Sequence, residues 1–366
     1  MTGEALHIGL IGPLPPPFGG MANQTKQLAE LLTSKGVTVS QVQMNADYRP
    51  AWIARVPVVR AIFRLFPYLC SLWRLAGRCD LFHVMANSGW SWHLFAAPAV
   101  WIAHQRGVPV IVNYRGGEAE DFLKKSGQAV RWIMNRVAIL AVPSGFLVEI
   151  FARFGMKAEI IPNIVSLERF ANSQPYRAEL HRLVVARNLE PIYDNATAIR
   201  ALAIVRARQP DTTLTIAGSG AEAESLRALV RELGLDDAVK FTGRLSPLAM
   251  VEIYRNSDVA INPSLVDNMP NSVLEALAIG IPVVSTSVGG VPFMVRDEVT
   301  ALLIPPQEPE RMADAVLRLF NDTALCDRLV TNGRADVQRY SWSNVWPVWA
   351  QAYRRAVLGR RGERES

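Results

Sequence analysis

The chain has 366 residues, 50% hydrophobic and 20% charged, with a formal net charge of +6, which excludes a disordered or fibrous class and leaves room for more than one buried core. Three widely spaced cysteines, Cys70, Cys79 and Cys326, argue against a disulfide framework and a zinc site and fit a reducing compartment. The first residues pass from an acid straight into a strand-like run, so no secretory leader is expected.

Residues 7–42 read as a β-α-β unit: strand His7–Gly12, loop Pro13–Met21, helix Asn23–Ser34 stopped by Gly36, and strand Val37–Val42. Gly19 and Gly20, adjacent before the helix, permit close approach of a substrate to the backbone, although a tight turn asks for glycine as well. Between Tyr48 and Cys79 stand six arginines (Arg49, Arg55, Arg60, Arg64, Arg74, Arg78) and no acid, interleaved with Trp52, Phe63, Phe66 and Trp73. Two readings stand open: a surface helix lying on anionic lipid, or a solvated face whose apolar side packs in the domain. No nucleic-acid recognition motif accompanies the charge, so no nucleic-acid partner is expected. Leu81–Gln105 lacks any charged residue and is long enough to cross a bilayer, yet Asn87, Ser88, Gly89, Ser91 and Pro98 interrupt it. It divides into a buried strand (Leu81–Met85) and a core helix (Trp92–His104), with His83 a core histidine.

Strand Pro109–Asn113 ends in Tyr114-Arg115-Gly116-Gly117-Glu118. Arg115 there can neutralise a diphosphate or bind an acidic acceptor, or anchor the loop through Glu118 or Glu120. Strand Val137–Pro143 and helix Gly145–Phe154 follow, and the polar stretch Asn172–Arg182 reads as a linker. Beyond it, strand Leu183–Ala186 leads to Arg187, and strand Thr212–Ala217 to Gly218-Ser219-Gly220. The latter imitates a dinucleotide fingerprint, but the acid expected about twenty residues on is missing: strand Val239–Thr242 is followed by Gly243 and Arg244.

After helix Pro247–Asn256, residues 259–286 organise the second half: strand Val259–Pro263, a loop, helix Ser272–Ile279 closed by Gly280, and strand Pro282–Ser285. A loop between a strand's carboxyl end and a helix start is where open α/β sheets bind ligands, and the helix start favours phosphate. Glu275, one turn in, could accept hydrogen bonds from two vicinal hydroxyls. It could equally close a capping box with Ser272, and Asp267 could be an ordinary loop acid. Strand Ala301–Ile304, helices Glu308–Phe320 and Ala324–Tyr340, and a tail helix packed through Trp342, Trp346, Trp349 and Tyr353 complete the chain.

The run PSLVDNMPNSVLEALAIGIPVVST resembles the signature of the retaining family 4 glycosyltransferases: an acid (here Asp267), seven residues, a glutamate (Glu275), an alanine-rich helix, Gly-x-Pro and an apolar strand. The resemblance implies an α/β fold of the GT-B type, two Rossmann-like domains facing a central cleft with a C-terminal helix crossing back to the first. The expected boundaries are 1–171 for an acceptor-side domain, with 343–366 packing on it, and 172–342 for a donor-binding domain. The implied reaction moves a hexose-type sugar, with retention, from a nucleotide-diphosphate sugar to a saccharide or lipid-linked acceptor. Cell-surface polysaccharide or glycolipid assembly would be its setting, in the cytoplasm or peripherally on the inner membrane face. Glu275 would bind the ribose hydroxyls, and the N–H groups of Asn271 and Ser272 the diphosphate. Arg187 would hold the leaving β-phosphate and Asp267 the donor sugar. Gly19, Gly20 and Gly218 would lie close to the donor, Tyr114 or Arg115 would stand where the family has a histidine, and neither metal nor cofactor is expected. Two residues depart from the pattern. Asp267 replaces the usual glutamate, and Ile192 stands where a lysine five residues after Arg187 would support the leaving group. The alternatives are therefore a nucleotide-sugar-binding partner with little or no turnover, or a nucleotide-sugar epimerase of the same fold, for which no acid/base pair is identifiable.

Overall fold

A computed structural model describes residues 6–16, 19–46, 57–170 and 181–365. Arg49, Trp52, Arg55 and most of the expected linker lie outside these residues. The chain forms two compact units, residues 1–163 with 345–366, and residues 164–344.

The first unit is built on a six-stranded, fully parallel sheet of order β2-β1-β3-β4-β5-β6. Its strands are β1 (His7–Gly12), β2 (Thr38–Gln43), β3 (Leu81–Ala86), β4 (Val110–Tyr114), β5 (Ile139–Val142) and β6 (Glu159–Ile160). Between them run α1 (Gly20–Ser34), α2 (Pro57–Ala76), α3 (Ala97–Gln105), α4 (Ala119–Met134) and α5 (Gly145–Arg153). Every residue of β3 and β4 is buried, as a parallel strand covered on both faces requires. Phe82, Val84, Val110 and Val112 point into a core shared with α2 to α5. The stretch free of charge thus becomes strand and helix, as its polar interruptions predict, with one difference: Trp92–Ala96 is a π-helical turn leading into α3. No helix among the described residues is long and apolar enough to cross a membrane.

The second unit repeats the plan with sheet order β12-β11-β10-β7-β8-β9. The strands are β7 (Arg182–Val185), β8 (Thr213–Ile216), β9 (Val239–Phe241), β10 (Val259–Asn262), β11 (Val283–Thr286) and β12 (Leu302–Ile304). The helices are α6 (Leu167–Phe170), α7 (Asn195–Arg206), α8 (Ala223–Glu232), α9 (Pro247–Arg255), α10 (Asn271–Ile279), α11 (Val291–Met294), α12 (Pro309–Asn321) and α13 (Thr323–Val337). Alternation along the strands feeds two cores: Leu183, Val185 and Ile261 on one face, Val184, Ala260 and Val283 on the other. Val165 and Phe170 belong to the latter core, and the Val165 N–H donates to the Tyr340 carbonyl at 3.0 Å, so the break between units falls at Asn163. α14 (Trp342–Glu365) returns the chain to the first unit, where Trp349 and Tyr353 are fully buried beside the His83 ring.

In each sheet the first strand of the unit has its successor on one side and a later strand on the other. These reversals, between β1 and β3 and between β7 and β10, are the topological switch points where open α/β sheets take ligands at strand carboxyl ends.

Candidate active site

Arg187 lies two residues beyond the end of β7, and Ser264 two beyond the end of β10; the pairing of Val185 with Ile261 brings them level. The Ser264 hydroxyl accepts from Arg187 Nε (3.2 Å) and Nη2 (3.1 Å), and its proton is shared between Asn262 Oδ1 (3.1 Å) and Asp267 Oδ2 (3.2 Å). Arg187 Nη2 is also paired directly with Asp267 Oδ2, both side chains being nearly buried. The guanidinium stacks over the Tyr193 ring at 4.5 Å. Burial lowers its pKa from the ordinary arginine value, while Tyr193, Tyr254 and Glu275 nearby act to raise it. Arg187 and Asp267, expected to meet different parts of a ligand, are thus each other's partners here.

α10 begins at Asn271 with Pro270 as its N-cap, one residue earlier than predicted. That shift removes the capping box. Ser272 is inside the first turn, its hydroxyl buried and without a hydrogen-bond partner among the described residues. Glu275 instead receives the Tyr254 hydroxyl on Oε2 at 3.1 Å, a proton shared with the Ser272 carbonyl at 3.3 Å. Desolvation raises the Glu275 carboxyl to about 7, opposed by that hydrogen bond and by the charges of Arg169 and Arg187. Glu275 is left as a half-charged acceptor close to a cation.

The Gly218-Ser219-Gly220 turn crosses the backbone that carries Arg187. A Cβ on Gly218 would sit 1.9 Å from the Arg187 carbonyl oxygen, and one on Gly220 2.2 Å from that of Leu189. Both glycines are therefore demanded by packing, and they fix the position of Arg187. Ile192, in the place of the missing lysine, serves through its backbone: its carbonyl accepts the N–H groups of Leu265 (2.8 Å) and Val266 (3.4 Å), holding the loop that bears Asp267.

In the first unit, Arg115 follows β4 and meets neither Glu118 nor Glu120 as a partner. Glu120 pairs with Lys124 and Arg153. Arg115 Nε donates to Asn113 Oδ1 (2.9 Å), and Nη1 donates to Gln24 Oε1 (2.5 Å) and to Asn163 Oδ1. Among the described residues the guanidinium rests on neutral oxygens, and burial lowers its pKa to about 9. Behind it, Asn113 Nδ2 donates to His83 Nε2 (3.0 Å), and His83 Nδ1 lies 2.9 Å from the Tyr353 hydroxyl. His83 is held well below its ordinary value, at about 3, by burial and by the Arg115 charge, so it is neutral. Gly19 is the N-cap of α1 with extended backbone (φ −169°), and a Cβ on Gly19 or Gly20 would meet no described atom within 4 Å. Packing among the described residues does not explain those two glycines.

Sequence reasoning missed Ser264, Tyr193, Tyr254, Asn113, Gln24 and Asn163. Ser264 carried a faint signal as a hydroxyl between a strand end and Asp267; the others are brought in by tertiary packing. Among the described residues no group of three or more His, Cys, Asp or Glu side chains is gathered to hold a metal.

Comparison with known proteins matches residues 170–336 to the family "Glycosyl transferases group 1" and residues 19–163 to the "Glycosyl transferase 4-like domain". A D-inositol 3-phosphate glycosyltransferase of Segniliparus rotundus is 29% identical over 280 residues, covering 72% of this chain and 62% of its own length. Its namesake from Acidothermus cellulolyticus is 37% identical over 182 residues, 47% of this chain and 40% of that one. These alignments span less than two thirds of either relative. Among solved structures, a sucrose-phosphate synthase from Thermosynechococcus elongatus superimposes with a TM-score of 0.77 at 20% identity, covering 97% of this chain and 100% of that one. HepE from Anabaena, solved with UDP and glucose, gives 0.74 at 17% identity, covering 94% and 98%. At that identity the likeness speaks for the fold, which is GT-B. With one family matched on each of its two Rossmann-like units, the chain belongs to the group 1 glycosyltransferases.

Proposed function

We propose that the chain transfers a hexose-type sugar, with retention, from a nucleotide-diphosphate sugar to a saccharide or lipid-linked acceptor in surface polysaccharide or glycolipid assembly. The observation that carries this reading is the cluster at the β7/β10 switch point. A buried arginine, an acid and a half-charged glutamate lie by a helix start whose Ser272 hydroxyl has no partner among the described residues. A nucleoside diphosphate complements each of these groups. Its ribose hydroxyls suit Glu275, its phosphates suit Arg187 and the N–H groups of Asn271 and Ser272, and the sugar suits Asp267. Gly218 lets its turn pack against the Arg187 backbone and so sets where that side chain would meet the nucleotide, and Gly19 and Gly20 leave ground open for a substrate in their own unit. In the reaction the bond between the anomeric carbon and the β-phosphate oxygen breaks. The acceptor oxygen bonds to the same face of that carbon, and the acceptor's proton leaves with the nucleoside diphosphate. Arg187 and the helix start stabilise the leaving charge without a metal or a further cofactor. Turnover equal in the presence and absence of a chelator is the corresponding expectation; loss with EDTA and recovery with a divalent cation would overturn that part.

The testing experiment is a thermal-shift panel of UDP-, GDP-, ADP- and dTDP-sugars on the native chain and on Glu275→Ala. UDP-glucose comes first because HepE was solved with UDP and glucose. One donor should raise the melting temperature of the native chain, and the shift should vanish in the variant. A flat panel on both would sink the reading. Ile192 favours one second reading, a nucleotide-sugar binder with little turnover, because it leaves the leaving group with a cation fewer. A donor that binds but is neither transferred nor hydrolysed would decide for it.

A further inference from the structure

α2 is apolar on two faces. Tyr68, Leu72 and Leu75 are buried in the unit's core, which accounts for one face. Phe63, Phe66 and Trp73, with Cys70 between them, recur at three- and four-residue spacing on the other. There Phe63 is 50%, Phe66 68% and Trp73 49% exposed. The packing explanation of this amphipathic helix therefore leaves its second stripe largely exposed among the described residues.

The stripe does not end with α2. The Arg106 guanidinium, at the C-terminal end of α3, lies over the Trp73 ring at 4.9 Å. On α3 itself, Trp101 stacks on Trp132 of α4, with centroids 5.2 Å apart and planes inclined by 23°. Arg136 covers both rings, at 3.8 Å from Trp132 and 5.2 Å from Trp101. Trp132 is nevertheless half exposed. Three helices thus combine exposed aromatic rings with guanidinium groups laid across them. Arg74 on α2, Arg78 just after it and Arg131 on α4 are exposed as well.

The segments that build α2 and α3 are free of acids. None occurs in residues 48–79 or 81–117. Asp80 between them binds the His7 N–H at 2.9 Å, and the α4 acids Glu120 and Asp121 stand in its first turn, at the other end from Trp132.

We propose that the α2–α3–α4 face seats the protein on the surface of an anionic lipid bilayer. Tryptophan and arginine together suit the headgroup layer, where the ring meets the acyl boundary and the guanidinium meets phosphate. A basic side chain near an anionic leaflet contributes about 1 kcal/mol, so the arginines supply attraction and the rings supply depth. The charge pattern selects this occupant over a second copy of the chain, whose identical positive face would repel it. Nucleic acid is served less well, because no recognition motif accompanies the charge.

The test uses the full chain in co-flotation with vesicles of phosphatidylcholine, alone or mixed with phosphatidylglycerol, without any nucleotide sugar. Binding should require phosphatidylglycerol and weaken as salt is raised. Arg74→Glu with Arg106→Glu should reduce it by at least about tenfold, from two contributions of the size above. Phe66→Ser with Trp132→Ser should reduce it comparably, while Leu248→Ser, an exposed apolar side chain of the second unit, should leave it unchanged. Should the aromatic pair disturb folding, Phe66→Ser alone, on a side chain 68% exposed, carries the same expectation. Absence of binding to either vesicle, binding indifferent to these substitutions, or tighter retention by single-stranded DNA would overturn the proposal. So would reversible dimerisation abolished by the same variants. Donor-induced thermal shifts, measured alongside, report on the transfer reading independently of this one.

Discussion

Glu275 and Arg115 have opposite charges and the same predicament: each is ionisable and buried without a full counter-charge. For Glu275, desolvation outweighs the help of Tyr254, Arg169 and Arg187, and the carboxyl titrates near 7 instead of the ordinary 4.5. Between those values the folded chain binds more protons than the unfolded one, so this residue's contribution to stability falls as pH rises through that window. Ligand binding has the opposite sign. Ribose hydroxyls donate, and a protonated acid offers them one acceptor fewer, so donor affinity should rise between about pH 6 and about pH 8. Isothermal titration across that range should show the slope in the native chain and its absence in Glu275→Gln; a flat native profile would remove Glu275 from ribose binding. Arg115 can be tested through the side chain that orients it. Asn113→Asp keeps the shape but sets a carboxylate against the Arg115 Nε, cancelling the charge offered to an anion. Loss of one charge-assisted contact, about 1.5–3 kcal/mol, should appear as weaker binding of nucleoside diphosphate or of an anionic acceptor by the folded variant, which also loses the Asn113 Nδ2 donor to His83 Nε2. Unchanged affinity for every anion tried would reduce Arg115 to a loop anchor.

Between neighbouring elements, two glycines carry opposite kinds of constraint. Gly280 ends α10 with φ +85°, and a Cβ there would lie 2.0 Å from Arg334 Nε, whose guanidinium binds the Ile279 carbonyl. Gly280→Ala should cost about 1–3 kcal/mol of stability, read by denaturant unfolding, with donor affinity little changed in the folded fraction. Gly218→Ala presses on the Arg187 carbonyl instead, and donor binding should be lost before stability is; equal effects of the two substitutions on affinity would contradict this division. Gly280 was legible as a helix stop, since glycine followed by Ile-Pro has a local meaning. The packing role of Gly218 was not, because the backbone it clears belongs to residues 187 and 188. The same distinction runs through the site. Arg187, Asp267 and Glu275 stand on a spacing that chain order displays, and β3, β4, β10 and β11 are apolar runs that could only be buried. Tyr254, Asn163 and Gln24 reach their partners from other elements, and no local pattern marks them. Ser272 and Glu275 mimic a capping box four residues long, while the helix they sit in is started by Pro270. The π-helical turn at Trp92–Ala96 was likewise hidden, since one added residue per turn leaves no periodicity to read over so short a stretch.

On the scale of the whole chain, residues 164–344 hold a complete six-stranded sheet with both of its cores and every side chain of the Arg187–Asp267–Glu275 cluster. The first unit is discontinuous by contrast. It draws Val345–Ser366 from the far end of the sequence, and that segment buries Trp349 and Tyr353 and gives His83 its hydroxyl partner. Arg355 adds a two-pronged pair with Glu159 on β6. A chain ending at Asn344 therefore strips one core while leaving the other whole. Removing two large aromatic side chains from a core costs about 3–5 kcal/mol each, against a total near 5–15 kcal/mol for a typical domain. The truncated chain should lose the cooperative unfolding of the first unit, and residues 164–344 should still melt cooperatively and still bind the nucleotide sugar. In the native chain a saturating donor should then raise one calorimetric transition more than the other, since mass action stabilises the unit that holds the ligand. A truncated chain that unfolds entirely, or a native chain whose transitions rise together, would mean that the donor-binding unit does not stand on its own core.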